Sequence, residues 1–254
     1  MSFKKWFILV LLTAGFVDTV LAGNYRSEND YFQPQDSSGV KIVVFGNSVT
    51  ATRITIKQVF AQRLPGLLAE KGIKAQIINS GIPGSHSGHL ADHGLFKIRH
   101  ALDRFDTDVL GHHPDIVNIS FGINDAHIDS KVKNGPSRIP LDKYRANLTY
   151  MIETLQSRGI SVILMVPNIL GEKYGDIQND RLLQYCRVVR KLAKKYHTGL
   201  VDNFKSFKNY QKTTGISYET LMLDGVHPND RGHEIIAANL AEQIENIVYQ
   251  KLRN

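Results

Sequence analysis

Five short apolar runs recur along the chain, and longer amphipathic segments separate them. The runs lie at residues 41–45, 75–79, 115–120, 161–166 and 199–202. Each is apolar on both faces, which is typical of strands in a parallel sheet that helices cover on each side. The pattern therefore predicts an α/β fold, a three-layer α/β/α sandwich on a five-stranded parallel sheet with the flavodoxin-like strand order.

The segments between the runs have helical periodicity and predict about five helices. They lie at residues 53–72, 88–104, 141–159, 179–196 and 231–252. Pro65 lies inside the first of them, where we expect it to kink or divide the helix.

Ligands of such a sheet bind beyond the carboxyl ends of its strands. The sequence therefore predicts the functional site in five loops, which begin at Gly46, Ser80, Phe121, Pro167 and Asn203.

Residues 1–22 have the plan of a secretory signal peptide. Two lysines precede an apolar run at residues 6–17, and small residues follow up to Ala22. The run is short for a membrane span, so we expect cleavage after Ala22 and a secreted or periplasmic protein. A retained N-terminal anchor is the alternative. Residues 23–39 are a polar lead-in, and residues 40–254 are long enough to form one domain with its own core.

The chain carries a formal net charge of +7, with its basic residues spread over the helical segments. A nucleic-acid platform would need these residues clustered and interleaved with aromatic ones, so we expect no nucleic-acid partner. Attraction to acidic polymers is the alternative. Cys186 is the single cysteine and cannot form an internal disulfide, and its helical context predicts a buried, inert thiol.

Ser48 lies just after the first run, separated from it by Gly46 and Asn47, in the stretch FGNSVT. A serine at this place can cap the helix that follows, since its oxygen accepts hydrogen bonds from exposed backbone amides. It can also be a nucleophile if a base and hydrogen-bond donors lie at the same edge of the sheet.

The next two strands end in residues that can donate hydrogen bonds into one cleft. The second strand leads into NSGIPGSHSG, where Gly81 and Gly84 allow the backbone to approach a ligand closely. The third leads into FGIND, which places Gly122 and the side-chain amide of Asn124 at the same edge.

Near the C-terminus, the stretch LDGVHPND places Asp224 three residues before His227, in a loop that Pro228 makes rigid. The carboxylate can reach the Nδ1 hydrogen of His227, which leaves Nε2 free to take the proton of Ser48. Ester hydrolysis needs a nucleophile, an oriented base and donors for the charge on the carbonyl oxygen, and all three have candidates here.

With these four stretches in this order, the chain resembles the SGNH hydrolase superfamily, the GDSL-type esterases and lipases. The resemblance runs from Lys41 to the last helix. It is carried by Gly46-Asn47-Ser48, Gly84, Gly122-Ile123-Asn124-Asp125 and Asp224-Gly225-Val226-His227-Pro228.

The resemblance implies a serine esterase that uses no metal and no cofactor. Ser48 would be the nucleophile, His227 the base and then the acid, and Asp224 the residue that holds the imidazole. The backbone amides of Ser48 and Gly84 and the side-chain amide of Asn124 would form the oxyanion hole. Asn47 departs from the family, which usually has Asp; it keeps one acceptor oxygen but loses a charge near the nucleophile.

Histidines and basic residues near the expected site have further interpretations. The histidines are His86, His89, His93, His100, His112 and His113. We expect them at the surface or supporting the site, with a metal pair formed by His89 and His93 as the alternative. Four basic residues are expected to be solvated, with contact to an anionic substrate as the alternative: Arg53, Lys131, Lys133 and Arg138.

These features predict an exported esterase that removes short acyl groups, such as acetyl, from a carbohydrate. Its partner would be a small-molecule or glycan ester. The loops at the active edge carry no long apolar run, which favours an open, shallow site over a lipase site. A lysophospholipase or thioesterase for longer acyl chains and a non-catalytic glycan-binding module are the alternatives. The sequence leaves hydrolysis versus acyl transfer, and the oligomeric state, open.

Overall fold

A computed structural model describes residues 39–130 and 135–253. Five strands form one parallel sheet in the order β2-β1-β3-β4-β5, which is the predicted flavodoxin-like order. The strands are β1 (Val40–Gly46), β2 (Ala75–Gly81), β3 (Ile116–Ser120), β4 (Ser161–Val166) and β5 (Gly199–Asp202). The predicted signal peptide and almost all of the lead-in lie outside the described residues, so both remain predictions.

The described residues contain seven α-helices. They are α1 (Phe60–Glu70), α2 (Ala101–Asp108), α3 (Ile123–Ala126), α4 (Leu141–Gln156), α5 (Gly175–Tyr196), α6 (Asn203–Thr214) and α7 (Asp230–Arg253). Helices α1, α6 and α7 form one layer on the sheet, and α3, α4 and α5 form the other. The three-layer prediction is therefore confirmed. None of the described helices is long and apolar enough to cross a membrane.

The helix count and two boundaries differ from the prediction. Helix α6 is polar and buries only three of its residues, so its periodicity was too weak to predict it. The segment at 88–104 holds a short 3₁₀ turn and then the start of α2. Helix α1 begins only at Phe60 and continues past Pro65 without being divided.

The central strand β1 ends at the same edge of the sheet as its two neighbours. Residues 42–45 are fully buried, as the continuous apolar run predicted. Gly46 is level with Gly81 of β2 and with Ser120 of β3, so three strands end side by side. Cys186 is buried in α5, where burial raises the pKa of its thiol to about 12 and keeps it protonated.

Candidate active site

The turn after β1 presents Ser48 at the carboxyl edge of the sheet. The carbonyl oxygen of Asn47 accepts from the amides of Thr50 (3.1 Å) and Ala51 (3.0 Å). Its side-chain oxygen accepts from the amide of Val49 at 3.0 Å, so the Asn47 side chain holds this turn from within. Since α1 begins only at Phe60, the interpretation of Ser48 as a helix cap is wrong.

Ser48, His227 and Asp224 form one hydrogen-bonded chain. Ser48 Oγ lies 2.9 Å from His227 Nε2, and His227 Nδ1 lies 2.7 Å from Asp224 Oδ2. A carboxylate beside Nδ1 places the imidazole hydrogen there, so Nε2 has a free lone pair for the serine proton. The structure thus joins three side chains that are up to 179 residues apart in the sequence.

Burial keeps His227 neutral, as a proton acceptor must be. Burial lowers the pKa of His227 below its ordinary value, the hydrogen bond to Asp224 opposes this, and the charge of Arg53 adds to the lowering. Burial alone would raise the pKa of Asp224, but hydrogen bonds from the amides of His227 and Val226 and from the imidazole bring it to about 2. Near neutral pH the pair is therefore a carboxylate and an uncharged imidazole.

The loop that carries Asp224 and His227 is tied to the end of β4. Asn168 Nδ2 donates to the carbonyl of Val226 at 3.0 Å, and the amide of Gly171 donates to the carbonyl of Gly225 at 2.6 Å. Asn168 is buried, and its role in this loop was not found from the sequence. The signal that could have found it is an Asn just beyond β4, at the predicted functional edge.

The predicted oxyanion donors lie on loops next to the Ser48 turn. The amide of Ile82 donates to the carbonyl of Gly46 at 3.1 Å, which ties the loop after β2 to the end of β1. Gly84 has a φ of +79°, which favours glycine, and a Cβ there would make a tight contact with the ring of Phe96 at 3.1 Å. Asn124 Nδ2 donates one hydrogen to the carbonyl of Ser85 at 2.8 Å. The amide nitrogen carries a second hydrogen, which this bond does not use.

Arg104 is a buried cation that sequence reasoning did not find. Its Nη2 donates to the carbonyl of Gly46 at 2.9 Å, and its Nη1 to that of Ser80 at 2.8 Å. Its guanidinium also lies over the ring of Phe45, 4.3 Å from the centroid. Burial lowers the pKa of Arg104 to about 10, which still leaves it charged at neutral pH. One side chain therefore joins the ends of β1 and β2 next to the Ser48 turn.

The histidines fall into separate contacts. His89 pairs with Asp103 and His93 with Asp129, so these two face different carboxylates. His86 and His100 are buried and stacked, with ring centroids 3.5 Å apart. Within the described residues, no group of three or more His, Cys, Asp or Glu side chains is arranged to hold a metal ion.

The four basic residues that were expected to be solvated differ in their environments. Arg138 is only 9% exposed in its side chain and makes two hydrogen bonds to Asp129, so the prediction of a solvated side chain is wrong for it. Arg53 is half-buried, and its charge reaches His227. Lys131 and Lys133 lie outside the described residues.

Larger grooves lie away from these residues. One of about 650 Å³ lies where β4 and β5 begin, and another of about 600 Å³ lies between α1 and α7. A cavity of about 10 Å³ lies against Asn47 and Val49, and it has room for one water molecule at most.

Comparisons with known proteins point to one family. The model of the GDSL-like lipase/acylhydrolase family matches residues 44–235. An acetylxylan esterase of Geobacillus stearothermophilus is 28% identical over 182 residues, which is 71% of this chain and 76% of that protein. A human homologue of isoamyl acetate-hydrolyzing esterase 1 is 28% identical over 149 residues, 53% of this chain and 57% of the relative. The crystal structure of a lipase/acylhydrolase from Enterococcus faecalis has a TM-score of 0.66 at 26% identity, covering 82% of this chain and 96% of the other.

The matched range begins in β1 and ends inside α7, so it contains the Ser48 turn, the loops after β2 and β3, and the Asp224–His227 loop. The solved relative shares the fold over nearly its whole length. The chain therefore belongs to the GDSL-like lipase/acylhydrolase family and is a carboxylic ester hydrolase.

Proposed function

We propose that this protein is an exported esterase that removes acetyl groups from carbohydrate, with Ser48 as the nucleophile. The observation that carries the proposal is the hydrogen-bonded chain from Ser48 through His227 to Asp224, with spans of 2.9 Å and 2.7 Å. Nucleophile, base and orienting acid are within the reach that proton transfer requires.

In the first half of the reaction, Ser48 Oγ attacks the ester carbonyl carbon and its proton passes to His227 Nε2. The carbonyl oxygen becomes an oxyanion, which accepts from the amides of Ser48 and Gly84 and from the side chain of Asn124. Asp224 stabilises the imidazolium that has formed. When the carbon–oxygen bond to the alcohol breaks, the alcohol takes the proton from Nε2 and acetyl-Ser48 remains.

In the second half, a water molecule attacks the acetyl carbon while His227 takes one of its protons. The second oxyanion collapses, acetate leaves, and Ser48 Oγ regains its proton from Nε2. The net reaction consumes one ester and one water and yields an alcohol and acetic acid, which ionises to acetate and a proton. His227 is thus a base and then an acid in each half, which a neutral imidazole near neutral pH can perform.

The acetyl group is the part of the substrate with the firmer support. The two relatives named above are an acetylxylan esterase and a homologue of an isoamyl acetate-hydrolyzing esterase, so their names share acetate and differ in the alcohol. The carbohydrate alcohol rests on the acetylxylan esterase and on the sequence, since the loops at the active edge carry no long apolar run of the kind a lipase uses. Export rests on the sequence of residues 1–22 and is tested by N-terminal sequencing of the protein recovered from outside the cytoplasm.

The decisive experiment compares wild-type protein with Ser48→Ala on acetylated polysaccharides and on p-nitrophenyl acetate and octanoate. We expect acetate release by the wild type, a preference for the acetate ester, and loss of nearly all activity in Ser48→Ala. Ser157→Ala is the matched control, because Ser157 is an exposed serine at the end of α4. Preference for octanoate would contradict the acetyl substrate, and full activity of Ser48→Ala would contradict the nucleophile.

A further inference from the structure

The loop at residues 84–88 is held by side chains from the segment after β3. Ser85 and Ser87 are fully buried. The carbonyl of Ser85 accepts from Asn124 Nδ2 at 2.8 Å, and the amide of Ser87 donates to Asp125 Oδ1 at 2.8 Å. Two consecutive residues of α3 therefore grip this loop, one on each side of His86.

Asp125 is an unusual residue to find at this place. It is fully buried, and no ion pair to it exists within residues 39–130 and 135–253. Burial raises the pKa of Asp125 to about 6, against the effect of its hydrogen bonds with Ser87. A buried carboxyl without a cation costs stability. We therefore look for what its oxygen does that an apolar side chain cannot do, and the observed contact is the hydrogen bond that it accepts from the Ser87 amide.

The purpose follows from what lies on the same loop. Gly84, with a φ of +79°, ends a turn in which the amide of Ser85 donates to the carbonyl of Ile82 at 3.2 Å. The direction of the Gly84 N–H is set by this turn, and the turn is anchored on its far side by Ser87. A donor misplaced by about 1 Å can cost about 10²-fold in rate, so the anchor bears directly on catalysis.

We propose that Asp125 is a positioning residue, which holds the loop through the Ser87 amide and thereby aims the Gly84 N–H at the oxyanion. The proposal rests on the role proposed above for Gly84. The acceptor oxygen of Asp125 is what matters for this role, and its charge is not required.

The matched pair of variants is Asp125→Asn and Asp125→Leu. The two side chains have similar shapes, but only Asn offers an oxygen to the Ser87 amide. With p-nitrophenyl acetate, we expect Asp125→Asn to keep kcat within about fivefold of the wild type. Asp125→Leu should lose about 10- to 100-fold in kcat with KM changed less than about threefold, since a lost oxyanion donor acts on the transition state. Asp106→Ala, at an exposed position on α2, is the control that should leave both constants unchanged.

A second measurement does not depend on activity. Amide hydrogen exchange in residues 84–88 should be faster in Asp125→Leu than in the wild type and near wild type in Asp125→Asn. A folded Asp125→Asn that loses more than about tenfold in kcat would overturn the proposal, and so would a folded Asp125→Leu with nearly wild-type kcat. An Asp125→Leu chain that does not fold would also overturn it, because the residue would then serve the whole domain.

The two proposals fail in different ways. If the wild type released no acetate, or if Ser48→Ala kept its activity, the proposed function would fail while the exchange result could still stand. If the wild type were active and Ser48→Ala inactive, but the two Asp125 variants behaved alike, only the positioning role would fail.

Discussion

Replacing Asp224 by asparagine tests the charge opposite His227 with little change in shape. Asn keeps the oxygen that accepts from the amides of Val226 (3.0 Å) and His227 (2.8 Å), so the loop should keep its conformation. The atom that faces His227 Nδ1 changes from Oδ2, an acceptor, to Nδ2, a donor, so the imidazole hydrogen moves to Nε2 and blocks the lone pair that takes the serine proton. The attraction between the carboxylate and the imidazolium is lost as well.

The size of the effect follows from the exposure of the pair. Opposite charges centred about 4 Å apart attract by about 1 kcal/mol in water and about 4 kcal/mol at an effective dielectric constant of about 20. The side chain of Asp224 is 44% exposed and that of His227 is 18% exposed, so solvent screens part of the attraction. The loss of about 2–4 kcal/mol from this attraction corresponds to a fall of about 30- to 1,000-fold in kcat/KM, and the change of tautomer brings the expected fall to about 10⁴-fold.

The assay is kcat/KM for p-nitrophenyl acetate between about pH 5 and 9. The carboxylate raises the pKa of His227, so its removal should also move the acid limb of the profile to lower pH. Asp180→Asn, on the exposed side of α5, is the control and should change neither the rate nor the limb. A fall of less than about threefold, or a limb that moves to higher pH, would refute the reasoning.

Three further changes have defined outcomes. Asn124→Ala removes one proposed oxyanion donor and should lower kcat by about 10²- to 10³-fold with little change in KM for the same ester. Asn47→Asp places a carboxyl at a position only 3% exposed beside the nucleophile; its negative charge should raise the pKa of His227 and move the acid limb to higher pH, whereas a shift to lower pH would contradict this. Burial lowers the pKa of His233 to about 4, so the unfolded chain binds a proton that the native chain refuses, and stability falls as the pH drops from about 6.5 towards 4. The free energy of unfolding is measured with urea at about pH 6.5 and about pH 4. Between these two pH values it should fall less in His233→Gln than in the wild type, by up to about 3 kcal/mol.

The sheet was predictable because its signal is local. Every predicted strand lies within two residues of the observed one at each end, since a strand covered on both faces is mostly apolar and the edge strand β2 still packs Ile77 and Ile78 against the core. The positions of Ser48 and Asn124 at one edge follow from where the runs end, because parallel strands end together. His227 lies beyond α6 and was assigned to the same site from its spacing to Asp224. Helix α6 was missed because a polar helix that buries few residues carries little periodicity.

The supporting residues were not predictable because their partners are distant in the sequence. Arg104 reaches a carbonyl 58 residues away, and Asn168 reaches Val226 across the same number of residues. An arginine in an amphipathic segment usually indicates a solvated face, and only its contacts show that it is buried. The sequence therefore predicted the residues proposed for the reaction, while the side chains that hold their loops became visible only in the folded chain.

These supporting contacts bear on the size of the substrate. Arg104 joins the ends of β1 and β2, Asn168 holds the loop of His227, and Asp125 holds the loop of Gly84. The residues proposed as donors and base are thus held by contacts that do not involve an ester, and little binding energy is needed to assemble them. A small acyl group makes few contacts of its own and so supplies little binding energy. We infer that it can still be hydrolysed at this site, because the loops lose their conformational freedom on folding and not on substrate binding.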